Sequence, residues 1–427
     1  MASTGITRRD CMTATAALAL LPLRRLAAAQ SPATWTSVQA LLDRYVAQGK
    51  YAGVAAALSY RGLPLALPVA GTLAFDSDVA VNKDTLFRVY SITKPVTGVA
   101  TLLLIEDGRL RLDQPVSDVF PELGKMRVAL DPAKGLESRP AVRPITMRQL
   151  LTHTSGLSNW QPFLGDTPIA NAYRARGMTP GDYLLHRPEH GLQVAGLREL
   201  IRRLPEVPLI AEPGTAWNYS MGLDVLGAVI EQVSGMPFDV CLRQRLFEPL
   251  DMRSTGFQVP QPDAVRLTTL YGTRDGKVTV LDRGAGSNWL KPARLPAGGG
   301  GLVSSPRDFI RFGQVMLHEG TLEGVRVMKP ETARLAMSNL LPAGVTYPAA
   351  GGFGAGAAVV MPGVVSPNGG PGVYSGLGAS STLITVDPAR KGTAVFLTQF
   401  MPGVGPSGDA VAYRGEFNAA VDADLRR

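Results

Sequence analysis

The chain has 427 residues, 45% of them hydrophobic and 18% charged, a balance that excludes a disordered chain, a fibre or an acidic tail protein. Its formal charge is +8, but the first 29 residues carry four arginines and one aspartate, so the remainder stands at +5. No run of five basic residues occurs, which argues against nucleic acid as a partner. The length suggests about two or three structural units. The only cysteines are Cys11 and Cys241. Cys11 lies in an expected leader, so no internal disulfide is expected in the mature chain.

The N-terminus reads Thr7-Arg8-Arg9-Asp10-Cys11-Met12, then an apolar stretch to Leu23 and small residues Ala27-Ala28-Ala29. This is the layout of a removable export signal over residues 1–29. The arginine pair is similar to a twin-arginine signal; an ordinary secretory signal is the alternative. The apolar stretch is far shorter than the ~20 residues that span a bilayer. The mature protein is therefore expected to be exported, periplasmic or secreted, with no stable membrane span. Segment 34–48 places Val38, Leu41, Leu42, Tyr45 and Val46 at helical spacing. Segments 53–60 and 64–70 flank Arg61-Gly62 as a hairpin. Segment 96–107 is apolar nearly all round and closes at Gly108, which predicts a buried, glycine-capped helix. From 140 to 260 the pattern is helical, most clearly over 222–233 with Gly235 behind it. Ser305 before Pro306 predicts an N-cap for a helix over 306–318. Strands are expected at 353–360, 380–386 and 392–399, a long loop at 361–378 and a closing helix at 409–425. Strands at both ends with helices between predict an α/β lobe built from 30–86 and 300–427, into which a mainly helical lobe, 87–299, is inserted.

Ser91-Ile92-Thr93-Lys94 opens the buried helix. Residues three apart share one helical face, with Cβ atoms ~5–6 Å apart. A serine hydroxyl is a weak nucleophile until a base takes its proton. A lysine can do so only in its neutral form, which burial in apolar surroundings favours. By itself this four-residue pattern is common. Here it stands among others: Phe87-Arg88-Val89-Tyr90-Ser91-Ile92-Thr93-Lys94-Pro95, Leu110-Arg111-Leu112-Asp113, and Ile145-Thr146-Met147-Arg148-Gln149-Leu150-Leu151-Thr152-His153-Thr154-Ser155-Gly156-Leu157. Next come Glu212-Pro213-Gly214, Trp217-Asn218-Tyr219-Ser220, Asp224-Val225-Leu226-Gly227, Gly299-Gly300-Gly301-Leu302 and Val386-Asp387-Pro388.

These blocks, in this order over about residues 35–400, resemble the serine β-lactamase and penicillin-binding protein superfamily. The similarity is greatest to the class C-related branch that includes the family VIII carboxylesterases. The resemblance implies a two-lobed serine β-lactamase/DD-peptidase-like fold, an antiparallel sheet flanked by helices with a helical lobe inserted. It implies that Ser91 forms an acyl-enzyme and that Tyr219 shares the proton relay with Lys94. It implies an oxyanion hole from the backbone N–H groups of Ser91 and Ala379. Substrate-binding positions would be Met221, Gly376 and Gly378. In the lactamases an asparagine stands where Met221 is, and a lysine, histidine or tryptophan leads the triplet that here reads Gly376-Leu377-Gly378. A thioether cannot donate as an amide does, so the expectation leans to carboxylic esters of short acyl chains. A β-lactamase, a D-amino-acid peptidase or amidase, and a non-catalytic penicillin-binding sensor module remain the alternatives. No metal and no cofactor is implied, and the expected partner is a small-molecule ester or amide.

Competing motifs fail on context. His186-Arg187-Pro188-Glu189-His190 has zinc-ligand spacing, but that pattern needs a continuous helix and Pro188 interrupts it. His153 reads as a structural hydrogen-bonder. Gly298–Gly301 lacks the spacing of a phosphate cradle, and no G-x-S-x-G elbow occurs.

Overall fold

The computed structural model describes residues 35–159, 166–179, 193–274, 276–402 and 409–427. Five helices and seven strands frame it. The helices are α1 (Thr36–Ala47), α2 (Thr93–Glu106), α3 (Gly222–Ser234), α4 (Pro306–Leu317) and α5 (Asp409–Leu425). The strands are β1 (Gly53–Tyr60), β2 (Val69–Gly71), β3 (Gly351–Phe353), β4 (Ala358–Val360), β5 (Tyr374–Gly378), β6 (Thr382–Asp387) and β7 (Gly392–Thr398). They form one antiparallel sheet in the order β3-β4-β5-β6-β7-β1-β2.

Both faces of the sheet are covered. Phe396 on β7 packs against Tyr413 and Phe417 of α5 and Tyr45 of α1, while α4 crosses β1, β6 and β7 on the other side. Every residue of β7 is buried, so the apolar run over 392–399 lacks the polar alternation of a half-wet strand. Truncating a fully buried ring such as Phe396 to alanine costs about 3–5 kcal/mol. The two chain-end helices are also tied electrostatically. No side chain of its own caps α1; the Asp424 carboxylate accepts from the N–H groups of Ser37 and Val38 at 3.0 Å, where the helix dipole favours a negative charge.

The helices between β2 and β3 are built on α2 and α3, which pack on each other. α2 is buried from Thr93 to Leu104, and α3 from Gly222 to Ile230. That explains why neither shows a solvent-facing polar stripe over those residues; the threonines of α2, Thr93, Thr97 and Thr101, are buried and hydrogen-bonded internally. Gly235 ends α3 in the left-handed region at φ 74°, and the Ser305 hydroxyl accepts from the Asp308 N–H at 3.2 Å to cap α4, both as the sequence predicts. Among the described residues no single helix is long and apolar enough to cross a membrane.

Three expectations change. Segment 353–360 is not one strand: Gly356 takes φ 77° and the Gly354 N–H donates to Ala357 O at 2.8 Å, so the chain reverses between β3 and β4. The loop 361–378 ends in β5, whose first three residues are buried against β4 and β6. The mainly helical stretch also holds small strand pairs, Arg127–Ala129 with Ser138–Pro140 and Leu270–Arg274 with Lys277–Asp282. Lys277–Asp282 is largely exposed, so it carries little of the apolar signal by which strands are read. The expected leader 1–29 and the His186–His190 motif lie outside the described residues.

Candidate active site

Ser91 sits in a single 3-10 turn, Tyr90–Ile92, immediately before α2. Tyr90 has φ 50°, a left-handed conformation that costs a non-glycine residue on the order of 1–3 kcal/mol. The surroundings over-determine it. The Tyr90 ring packs edge-on against Trp289, and the backbone before it is pinned to the β5–β6 connection. Arg88 O accepts from Ser380 Oγ and Gln399 Nε2, each at 3.0 Å, and Val89 O accepts from Thr382 Oγ1 at 2.9 Å. A Cβ on Gly378 would stand 2.4 Å from Val89 O, so only glycine lets β5 come this close. Ala379 thus lies between Gly378, which closely approaches Val89 O, and Ser380, whose hydroxyl donates to Arg88 O, just before the turn that carries Ser91.

Lys94 is the second residue of α2 and only 4% exposed. Its Nζ donates to Ser91 Oγ at 3.2 Å, to Tyr219 Oη and to the carbonyl of Gly299. Tyr219 Oη is 2.7 Å from Ser91 Oγ. The three sequence-predicted catalytic side chains thus meet in one triangle, from positions 128 residues apart at the extremes.

The loop carrying Tyr219 is held by His153. The His153 carbonyl accepts from the Asn218 N–H at 2.8 Å, and its Nδ1 accepts from the Ser220 N–H at 3.2 Å. A backbone N–H can only donate, so Nδ1 is unprotonated and the ring proton is on Nε2, which is buried without a partner. Burial, and then the charge of Lys94, hold the imidazole well below its usual value, so it stays neutral. His153 grips the loop from both flanks of Tyr219 and is structural, as expected.

Two contributors lacked a role in the sequence reading. Gly299 accepts from Lys94 through its carbonyl, while its N–H donates to Asp224 Oδ1 at 2.8 Å. Asp224 lies in the first turn of α3 and is buried, which raises its carboxyl above the usual range; the Gly299 N–H and the Lys94 charge pull it back. A carboxylate inside the otherwise apolar, buried stretch 222–230 is the signal that could have flagged it.

The three expected substrate-binding positions are placed differently from one another. Met221 is 1% exposed and packs in the main core. Gly376 is buried on β5, where a Cβ would touch Ile384, Ile92 and Pro95; it looks onto the start of α2. Gly378 is half-buried beside the turn that carries Ser91. None of them lines the cavity of about 510 Å³ whose wall includes Trp217, Asn218 and Tyr219. The aromatic part of its wall comes from the loop that the sequence reading tied only to Tyr219. Trp217 packs in turn on Tyr347, at 4.6 Å between ring centroids, and on Phe353 of β3. No cluster of metal-ligating side chains occurs among the described residues.

The Beta-lactamase family model matches residues 38–417. Protein Rv1367c of Mycobacterium tuberculosis is 33% identical over 350 residues, covering 79% of this chain and 82% of that one. Esterase EstB of Burkholderia gladioli is 31% identical over 287 residues, 64% of this chain and 68% of that one. Among solved structures, EstCE1, described as a hydrolase with promiscuous acyltransferase activity, superposes with a TM-score of 0.71 at 26% identity, covering 90% of this chain and 97% of that one. With a serine, a lysine and a tyrosine meeting at the start of a buried helix, and with a match along nearly its whole described length, the chain belongs to the Beta-lactamase family.

Proposed function

We propose that the protein hydrolyses carboxylic esters of short acyl chains through an acyl-enzyme on Ser91. The observation that carries this reading is the triangle in which Ser91 Oγ lies 2.7 Å from Tyr219 Oη and 3.2 Å from Lys94 Nζ. With Lys94 neutral, the Lys94–Tyr219 pair takes the Ser91 proton as Oγ bonds to the ester carbonyl carbon. The backbone N–H groups of Ser91 and Ala379 receive the developing oxyanion. The bond to the alcohol oxygen then breaks, and Tyr219 passes the proton to the leaving alkoxide. Water repeats the sequence on the acyl-enzyme: its proton goes to the pair, its oxygen to the carbonyl carbon, and Ser91 regains its proton as the acid departs.

Esters are favoured over β-lactams and peptides because Met221 offers no amide and Gly376 no side chain. Similarity to an esterase supports the same preference. The test is a panel of nitrophenyl acetate and butyrate, a chromogenic cephalosporin and a D-amino-acid amide. Ester turnover should dominate, and Ser91→Ala should lose at least about a thousandfold. Faster turnover of the cephalosporin than of the best ester overturns the substrate assignment, and an alanine variant with a tenth of the activity overturns the nucleophile. A second reading, transfer of the acyl group to an alcohol in place of water, is favoured by the description of EstCE1 and is read by ester formation when an alcohol is added. The Arg8-Arg9 leader supports export, which fusion of the leader to a reporter tests.

A further inference from the structure

The reaction proposed above gives no part to the glycine run Gly298–Gly301, yet this run touches the base. It is wedged between the start of α2 and the start of α3. On the α2 side the Gly299 carbonyl accepts from Lys94 Nζ, the Gly298 carbonyl accepts from Thr97 Oγ1 at 2.8 Å, and the Leu302 N–H donates to Thr93 Oγ1 at 3.1 Å. On the α3 side a Cβ on Gly298 would stand 2.3 Å from Leu223 O, so only glycine lets the two backbones come this close. The Gly299 N–H donates to Asp224 Oδ1 at 2.8 Å. Asp224 is buried, and burying a carboxylate costs free energy that an apolar residue at this point of α3 would not incur. What the carboxylate adds is an acceptor at Gly299.

A neutral lysine amine has two N–H groups and one lone pair. Three groups meet Lys94 Nζ: the Gly299 carbonyl, Ser91 Oγ and Tyr219 Oη. A carbonyl oxygen can only accept, so it takes one N–H. The other N–H and the lone pair are left to the two hydroxyls, the neighbours that have a proton to give. With the carbonyl moved away, the amine could turn about its Cε–Nζ bond and aim its lone pair elsewhere. From this geometry we infer that Asp224 is a positioning residue for the base: its bond to the Gly299 N–H holds the Gly299 carbonyl on Lys94 Nζ, and so points the lone pair of neutral Lys94 at the Ser91–Tyr219 pair. The inference rests on the role of Lys94 in the reaction proposed above.

Three variants of the whole protein test this, each with the fastest substrate of the panel above. Asp224→Leu removes the acceptor and should lower kcat about tenfold to a hundredfold while KM stays within about threefold. Asp224→Asn keeps an Oδ1 acceptor for the Gly299 N–H and should restore kcat to at least about a third of the parent value. Gly299→Ala puts a Cβ 2.9 Å from Asp224 Oδ2. It pushes the carboxylate away without deleting it and should lower kcat as Asp224→Leu does, which decides the matter if the leucine variant misfolds. Partial unfolding would lower the rate and leave the pH profile in place. A carbonyl that accepts from Lys94 favours its charged form, so in Asp224→Leu the acid limb of kcat/KM should move to lower pH. Tyr219 and His153, the other ionisable groups within electrostatic reach of Lys94, are the same in every variant. A leucine variant above about a third of the parent kcat, an asparagine variant as slow as the leucine one, or an unmoved acid limb each overturns the positioning role. Lys94→Arg measured alongside separates the two claims. An active arginine variant overturns the base, whereas an active Asp224→Leu beside an inactive Lys94→Arg overturns only the role of Asp224.

Discussion

Two buried basic side chains flank Ser91 at equal distance in sequence, Arg88 three residues before it and Lys94 three after. Their surroundings are opposite. The Arg88 guanidinium is fully buried and is neutralised by Asp282 at 2.5 Å, with further bonds to Ser287 Oγ at 3.1 Å, Thr268 O at 2.7 Å and Gln399 Oε1 at 3.1 Å. Lys94 touches two hydroxyls and one carbonyl, and among the described residues no carboxylate lies within ion-pair distance of it. Asp224 accepts from the Gly299 N–H, in the peptide before the one whose carbonyl meets Lys94, and not from Lys94 Nζ. A permanently charged group with a counter-ion makes a clamp. Lys94, left without a counter-ion and facing hydroxyls, is the group that the proposed reaction uses as a base. The clamp holds the backbone just before Ser91, since Arg88 O is itself bonded to Ser380 and Gln399.

Lys94→Arg erases the contrast and should have the largest effect. It keeps the charge in place but cannot lose the proton, so ester turnover should fall by about a thousandfold or more while the melting temperature changes little. Turnover above a tenth of the unmodified protein's would exclude Lys94 as the base.

Arg88→Met attacks the other side. It leaves the Asp282 carboxylate buried and unpaired, which costs about 3–5 kcal/mol of stability. The double variant Arg88→Met with Asp282→Leu should recover part of that loss, because the uncompensated charge is gone. Denaturant unfolding measures both. A single variant less than about 1 kcal/mol below the parent would show that the pair is no clamp.

A third buried basic side chain sharpens the comparison with the smallest effect. His153 is held neutral in the folded chain by burial and by Lys94, whereas the unfolded chain takes up a proton on it below about pH 6.5. The unfolded state then binds more protons, so stability is full above that pH and falls as pH drops below it, by up to about 1.4 kcal/mol per unit. In His153→Gln the Oε1 atom keeps an acceptor for the Ser220 N–H and removes this slope. Equal slopes in parent and variant, from unfolding curves between about pH 6.5 and 5, would show that His153 titrates alike in both states.

Much of this was legible in the chain. The periodicity of 222–233, the Ser305 cap and the run over 392–399 each report a local or nearest-layer constraint, and the structure follows them. The reversal at Gly354–Ala357 and the strand at 374–378 were not legible. A short strand rich in glycine carries too little side-chain pattern, and β5 exists because β4 and β6 supply its ladder.

The sequence alone determined which residues meet. Ser91 and Lys94 share a helical face by spacing, and the blocks around them, in order, brought Tyr219 into the set. The tertiary structure decided what surrounds them. It left Lys94 without a counter-ion, placed the Gly299 carbonyl against its Nζ, turned Met221 into the core and opened a cavity on the Tyr219 side. The physical reason is range. Spacing along one helix sets contacts between near neighbours, whereas the charge environment of a buried ammonium and the shape of an empty volume depend on segments up to 205 residues away, brought together only when the sheet and the helices pack.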